Sequence, residues 1–486
     1  MVRSSFFQTH RVFVVVLTLG LFTMAVRNMT DPDVWWHLRT GQLSLQEHKI
    51  FHADPFSYSK FGQPWVDHEW LSQILMFSLY RVTGWGGLMI GFAGVIAGAF
   101  LILFLRCPGR PYVAGVFTAW GALATIPCWG VRPQMFTLLF ASILLFILER
   151  SYSRPKLLWW TPFLMLLWVN LHAGYAIGIA FLAMFLLGDA FDRTLGWEDA
   201  PRPGRLLPLT WALVACIAIV PLNPYGIQMY SYPLQTLHSR AMQAYIGEWL
   251  SPDFHQSRYL AALLMMLASL LLPTVSPRHL RARELLLLIV ATYMALRSVR
   301  HLPIYVMVAV PLLSGMVQSI LEASPKAGLL TPAWRPLPKP QVILNMLLLA
   351  GMVAFTAVRL HIVIGHQAAT EAREFPAAAA NFLSAHHPPG RLLNHYNWGG
   401  YFIWKLYPEY PVFIDGRADL YGDSFLDGFA ATYYLRGKFQ QDALRTWGIR
   451  TVVLPPDAPL VVALKTLPDW KTVFTDQQSV VMVRSK

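Results

Sequence analysis

Asp31-Pro32-Asp33-Val34-Trp35-Trp36-His37 follows directly on an apolar run, residues 12–26, that ends in Arg27. The loop it opens, residues 27–69, closes on Asp67-His68-Glu69-Trp70 ahead of further apolar sequence. Carboxylates and imidazoles thus stand against a membrane boundary at both ends of one loop. Such groups are costly near hydrocarbon, and in membrane proteins they mark sites that handle polar or ionic substrates. The pattern reads as an enzyme working at a membrane surface.

Composition supports the membrane part of that reading. Of 486 residues, 55% are hydrophobic and 13% charged, where a soluble domain carries about 25% charged residues. Apolar segments at 12–26, 85–105, 112–128, 133–148, 157–171, 175–191, 206–222, 259–272, 284–296, 302–321 and 342–360 give about eleven candidate spans. Residues 70–82 form a shorter apolar stretch that contains Arg81. Basic residues precede the first run, as in a signal peptide, but Met24-Ala25-Val26-Arg27 is a poor small-residue cleavage site, so that run is expected to stay as an anchor. The net charge of +13 sits largely in short loops between spans, which fits a positive-inside bias and not a nucleic-acid partner. Cys107, Cys128 and Cys216 show no paired spacing, so neither a disulfide framework nor a metal knuckle is expected.

Those charges set a topology. If residues 70–82 do not cross, Arg3, Arg11, Arg106, Arg110, Arg150, Arg154, Lys156, Arg193, Arg202, Arg205, Arg278, Arg281, Arg283, Lys326, Arg335 and Lys339 share the cytoplasmic side with the N-terminus. The other side keeps only Arg132, Arg240, Arg258, Arg297 and Arg300 in its later loops. A crossing there would reverse the bias that orients such proteins. Residues 70–82 are therefore expected to be a re-entrant or interfacial helix, and the polar motifs then converge on the outer face.

Asp31 and Asp33 flank a proline, which favours an extended or turn entry. Two carboxylates so placed suit a shared divalent cation, or one can act as general base beside the other; the competing reading is that they cap the helix holding Trp35, Trp36 and His37. Trp35 and Trp36 suit either an interfacial belt or stacking on a sugar ring. Asp67, His68 and Glu69 place two acids and a possible base within three positions, although Glu69 also suits the N-terminus of the next helix. Arg132, Arg297 and Arg300, arginines on the less basic face, suit phosphate, with snorkelling to headgroups as the alternative. His172, Glu248 and His301 are further candidates for substrate contact.

From about residue 366 the composition turns soluble. A helix at 376–384, strands at 391–395, 411–414, 450–454, 471–475 and 479–483, and a helix at 440–447 predict a small α/β domain, residues 366–486, that folds largely by itself. Asp415, Arg417 and Asp419 follow one of these strands, where α/β sheets tend to place ligands; a structural ion-pair corner is the alternative. Gly399-Gly400 is not a phosphate loop.

Residues 1–365 resemble the bacterial GT-C glycosyltransferases, a class that includes protein O-mannosyltransferases, the aminoarabinose transferase of lipid A and oligosaccharyltransferases. The resemblance rests on the anchor, an acidic first outer loop (Asp31, Asp33) returning as Asp67-His68-Glu69-Trp70, the following spans and an outer C-terminal domain. Asp-Pro-Asp stands where mannosyltransferases carry Asp-Glu, and His68-Glu69-Trp70 where His/Glu-Pro-Pro often ends the loop. The stretch from Asn397 to Asp419 resembles the tail of a family of uncharacterised bacterial membrane proteins with the same first loop. The resemblance implies a polytopic α-helical membrane protein of the bacterial inner membrane, with its N-terminus cytoplasmic. It implies sugar transfer from a polyprenyl-phosphate-linked donor to a glycan, lipid or protein acceptor, with Asp31 or Asp33 as base or as ligands of a divalent metal. A transporter or flippase of lipid-linked glycan, a non-catalytic envelope-assembly protein, and a ligase or polymerase of O-antigen type are the rival readings. No internal repeat favours the transporter.

On this topology, single cysteines at Arg205 and Asp427 differ in exposure to an impermeant reagent. In intact cells only the second is expected to be labelled.

Overall fold

The computed structural model describes residues 8–196, 203–324, 338–436 and 440–485. Arg3, Arg202, Lys326 and Arg335 of the basic set lie outside the described residues. The chain is mostly helical and carries one small sheet near its C-terminus. In chain order the helices are α1 (Thr9–Ala25), α2 (Val34–Glu47), α3 (Trp70–Arg106), α4 (Pro111–Thr125), α5 (Gln134–Arg150), α6 (Thr161–Leu171) and α7 (Tyr175–Thr194). There follow α8 (Leu206–Ile219), α9 (Gln228–His238), α10 (Arg240–Tyr245), α11 (Leu260–Val275), α12 (Ala282–Arg297), α13 (Leu302–Ala323) and α14 (Lys339–Gly365).

Six helical segments among the described residues are long and apolar enough to cross a membrane: Trp70–Arg106, Pro111–Cys128, Tyr175–Thr194, Ser257–Val275, Val299–Ala323 and Lys339–Gly365. This is a membrane protein. The other expected segments form shorter helices, α1, α5, α6, α8 and α12. The stretch at 70–82 is helical and runs into the next span through a break at Gly84, whose φ of 63° and ψ of −160° are non-helical. Glycine alone takes that conformation without strain.

α13 is the axis of the bundle. It is apolar all round and almost wholly buried, as a central helix must be. Pro311 within it has no N–H, which frees the Met307 carbonyl, and Arg106 Nη1 donates to that oxygen at 2.7 Å. Arg106 also pairs with Glu149. At the same end, buried Asp189 accepts from Arg205 and Arg283. α14, by contrast, leaves Ile343, Leu344, Leu347 and Phe355 exposed, as a helix facing lipid does.

The C-terminal segment continues with α15 (Gln367–Glu374), α16 (Ala377–His386), β1 (Arg391–Asn394), α17 (Gly399–Leu406), α18 (Ala418–Tyr433), α19 (Gln440–Thr446), β2 (Ile449–Leu454), α20 (Pro459–Leu464), β3 (Trp470–Thr475) and β4 (Val480–Arg484). The sheet order is β1-β2-β4-β3, parallel between β1 and β2 and antiparallel elsewhere. The strand expected at 411–414 is not in this sheet. Its Val412 instead bridges in parallel to Ser57 of the first loop, since an extended stretch satisfies its backbone with whichever edge lies beside it.

That bridge is one of several ties between the C-terminal segment and the first loop. The Trp398, Tyr401, Phe402 and Val412 side chains belong to the same buried cluster as Val34, Trp35 and Leu88. Arg39 of α2 donates to the carbonyls of Ile403, Trp404 and Tyr407 at the end of α17. A Cβ at Gly400 would meet the Pro32 carbonyl at 2.6 Å, and one at Gly416 would overlap Asp33 Oδ1. Close approach explains both glycines. Arg417, fully buried, pairs with Asp54 at 2.7 Å and with Asp415 at 2.6 Å, and lies over the Phe56 and Trp65 rings.

Arg205 is itself buried in its pair with Asp189, so the exposed Arg154 at the same end is the better labelling position. Arg417→Met leaves two buried carboxylates unpaired and is expected to cost about 3–5 kcal/mol. Thermal unfolding in detergent should show a large loss for that variant. Arg484→Met, which removes a half-exposed pair with Asp469, should change it little.

Candidate functional site

At the end of the bundle that meets the C-terminal segment lies a cavity of about 580 Å³, within the range of small-molecule sites. It takes residues from the first loop, the starts of α5 and α7, α9, the α10–α11 connection, the start of α13 and the C-terminal segment. Asp31, Asp33, Trp36, His37, Asp67, His68, Glu69, Arg132, His172, Glu248, Arg300, His301, Arg417 and Asp419 all line it.

Three expected residues do not. Trp35 is buried among the Trp85, Phe375 and Tyr401 rings, because α2 turns that face toward the protein core. Arg297 is exposed and donates to Gln243. Asp415 lies behind Arg417, held by Arg417 and the Tyr421 hydroxyl.

The Asp31–Asp33 turn is built by its own hydrogen bonds. Asp31 Oδ1 accepts the Asp33 N–H at 2.9 Å, and Asp33 Oδ1 accepts the Trp36 indole N–H at 3.0 Å. Asp33 stands at the N-cap of α2 without a side-chain cap bond, so the capping alternative does not describe either carboxylate. Asp31 Oδ2 is 3.0 Å from Arg132 Nε, and Arg132 reaches Glu248 with Nη1. Arg132 is thereby neutralised from two sides. Burial, then the neighbouring Asp31 charge, push the Asp33 carboxyl up to about 7.

Among the described residues no group of three or more His, Cys, Asp or Glu is arranged to hold a metal ion. Asp31 is organised around the Arg132 guanidinium instead. Engaged with Arg132, the Asp33 backbone N–H and the Trp36 indole, Asp31 and Asp33 do not fit a divalent cation.

Glu69 is a hub. Nε2 of His37, His68 and His172 lie 3.4, 3.2 and 3.3 Å from its carboxylate oxygens. The His172 tautomer follows from its other nitrogen: Nδ1 accepts the Gly174 N–H at 2.9 Å and sits 2.8 Å from the Thr137 hydroxyl. The proton is therefore on Nε2 and points to Glu69. Burial alone would raise Glu69, but the His68 charge, with His37 and His172, holds it well below the usual carboxylate range. Burial drives His37 down to about 4 and His172 down to about 3. His68 goes the other way: burial opposes its charge, yet Glu69, Asp419 and Asp67 outweigh it and raise the imidazole. Burial lifts Asp67 up to about 7 although Gln73 donates to it.

Sequence reading missed Tyr232 and Tyr396, which also line the cavity, as does Trp249 beside Glu248. Tyr232 stacks on His68 with centroids 4.4 Å apart, and the Arg300 guanidinium lies 5.1 Å over the Trp249 ring. The Glu248-Trp249 pair was visible as a polar break; Tyr232, inside a helical run, carries no local signal.

No protein-family model matches the sequence, and no curated protein sequence matches it. Solved structures do match in fold. The archaeal oligosaccharyltransferase AglB from Archaeoglobus fulgidus, solved with an inhibitory peptide and a dolichol-phosphate, aligns over 91% of this chain and 69% of its own, with 11% identity and a TM-score of 0.56. ArnT from Cupriavidus metallidurans, in the apo state and bound to undecaprenyl phosphate, aligns over 97% of both chains, with 16% identity and a TM-score of 0.49. The fold of this chain is similar to that of the archaeal oligosaccharyltransferase.

Glu69 is depressed from its ordinary value of 4.5, so its stabilising effect is present above that value and is lost as pH falls well below it. Glu69→Gln is expected to lower the unfolding temperature at neutral pH, with a gap to wild type that narrows in acid. A gap that stays constant from neutral to acid pH would show that the carboxylate charge is not what the imidazoles need.

Proposed function

We propose that this chain transfers a sugar from a polyprenyl-phosphate-linked donor to an acceptor hydroxyl on the outer face of the bacterial inner membrane. The observation that carries the reading is one cavity faced by a carboxylate that titrates near neutrality, Asp33, and by a guanidinium, Arg300, that makes no ion pair among the described residues. The GT-C fold supports it, as does the dolichol-phosphate in the oligosaccharyltransferase complex.

Asp33 is the base. It takes the acceptor proton as the acceptor oxygen bonds to the anomeric carbon, and the bond from that carbon to the phosphate oxygen breaks. Arg300 faces the departing phosphate, whose charge grows along the reaction. A general base is best poised with a pKa near the working pH, which suits Asp33 better than Glu69, whose imidazoles keep it a weak base. Asp31 holds Arg132 in place. Trp36, from the first turn of α2, offers an aromatic wall for the sugar.

The membrane topology belongs to the same reading: about eleven crossings, residues 70–82 re-entrant, the N-terminus cytoplasmic and residues 366–486 outside. The break at Gly84 supports it, and so does the gathering of the polar loops at one end of the bundle. Arg154→Cys should escape an impermeant reagent in intact cells and Asp427→Cys should react.

Two variants test the chemistry. With membranes supplied with polyprenyl-phosphate sugars, Asp33→Asn should lower release of free polyprenyl phosphate by about 10² to 10⁴ and still bind undecaprenyl phosphate. Arg300→Ala should weaken that binding itself. The wild-type rate should rise with pH through about 7 as Asp33 loses its proton. An Asp33→Asn variant that releases lipid phosphate at the wild-type rate would remove Asp33 as the base.

A further inference from the structure

The end of the bundle remote from the first cavity holds a second, smaller one of about 210 Å³. It lies among the end of α3, α5, α7, the α11–α12 connection with the first turns of α12, and α13. Arg106, Arg278, Arg283, Glu149 and Glu284 line it. Three cations against two carboxylates leave one positive charge. Much of the remaining wall is apolar, with Phe185, Leu287, Val308 and Leu312.

The three arginines are not equally engaged. Arg106 donates from Nε and Nη2 to Glu149, at 3.0 and 2.8 Å, and from Nη1 to the Met307 carbonyl. Arg278 makes one side-chain hydrogen bond, from Nη2 to Glu284 at 2.7 Å. Arg283 also makes one, from Nη1 to Asp189 at 3.3 Å, and that carboxylate already holds Arg205 at 2.7 Å and the Tyr152 hydroxyl. A guanidinium carries five N–H donors, so Arg278 and Arg283 each keep four without an acceptor among the described residues.

The backbone makes room for both. A Cβ at Gly315 of α13 would stand 2.1 Å from Arg278 Nη1, and one at Gly188 of α7 would stand 2.3 Å from Arg283 Cα. Charged groups gathered between helices at a membrane boundary are costly and mark sites for polar or ionic ligands. Guanidinium forks match phosphate oxygens, and one residual positive charge matches a phosphodiester, which carries one negative charge. The volume is below the range of whole small-molecule sites, so it suits a headgroup, with the apolar wall beside the part of the lipid next to it.

We propose that this cavity binds the phosphodiester headgroup of an anionic phospholipid through Arg278 and Arg283, the acyl chains remaining outside. Basic pockets between spans take anionic headgroups in this way. On the topology proposed above the lipid comes from the inner leaflet. The binding itself is independent of sugar transfer.

Native mass spectrometry of the full chain in detergent, offered phosphatidylglycerol and phosphatidylethanolamine with the same acyl chains, reads the retained lipid. Wild type should retain phosphatidylglycerol in preference. Arg278→Gln and Arg283→Gln should each retain several-fold less of it. Arg150→Gln removes an exposed arginine at the same end that does not line the cavity, and it should retain as much as wild type. Equal loss in all three variants would show a general charge effect, and no loss in the first two, or equal retention of both lipids, would show that the cavity does not select the headgroup; each overturns the proposal. Glycerophosphoglycerol, the same headgroup without chains, should not displace the lipid at equal concentration; displacement would make this a site for a soluble phosphodiester and overturn the lipid assignment. Arg278→Gln alone serves if Arg283→Gln does not fold, because Arg278 is the more exposed of the two.

Discussion

The fit of the C-terminal segment on the first loop depends on one buried cation. Arg417 joins Asp54 in the first loop to Asp415 in the C-terminal segment and fills the space over Phe56 and Trp65. A buried ion pair contributes little net stability compared with apolar packing, but it strongly penalises arrangements that leave either partner alone. Here it fixes one registration of the segment on the loop. Gly416, next in the chain, then lies against Asp33, and Gly400 against Pro32. Asp415 and Arg417 form the ion-pair corner that was the alternative at this strand end and help fix how the Asp31–Asp33 turn is presented, while Arg417 and Asp419 also line the cavity.

The second constraint is electrostatic. Six carboxylates, Asp31, Asp33, Asp67, Glu69, Glu248 and Asp419, line one partly buried cavity, and each has been given a different environment. Asp31 and Glu248 share a guanidinium, and Glu69 is surrounded by imidazoles. Asp33 and Asp67 have neutral donors only, from Trp36 and Gln73. Neutral partners cannot offset the loss of water around a carboxylate as a cation can, so these two rise toward neutrality while Glu69 falls. Carboxylates within one loop thereby acquire separate capacities, set by neighbours close in the chain, Trp36, Gln73 and His68, together with distant ones, His172 and Arg132.

Such environments depend on helices that are held together at the other end of the bundle. α13, apolar on every side, gives the bundle its axis, and its proline creates a free carbonyl that Arg106 satisfies at the end remote from the cavity. Buried pairs at that end, Asp189 with Arg205 and Arg283 and Arg106 with Glu149, hold the helices together away from the chemistry. At the other end the first loop packs its apolar side chains, Val34, Trp35 and Phe56, into the same cluster as the bundle and turns its polar ones to the cavity.

The sequence by itself determined the class of the protein and the list of groups from which its site is drawn. Apolar length reports hydrophobic segments directly, and charge at a membrane boundary is too costly to be there without a reason. Asp33, His68, Glu69, Arg132 and Arg300 were therefore legible as candidates, and the strands of the terminal sheet followed from alternation and turn residues. Tertiary structure decided what each candidate is. Trp35 and Trp36 are adjacent, yet one is core and the other lines the cavity, since neighbouring helical positions point about 100° apart. Arg132 and Arg300 look alike in sequence, but among the described residues only the former pairs with carboxylates, Asp31 and Glu248. Residues 411–414 read as a strand and pair with the first loop instead of the sheet. Tyr232, with no motif around it, packs its ring against His68, 164 positions before it in the chain. Protonation and partnership depend on distances of a few ångströms between residues far apart in the chain, and those distances exist only once the helices have packed.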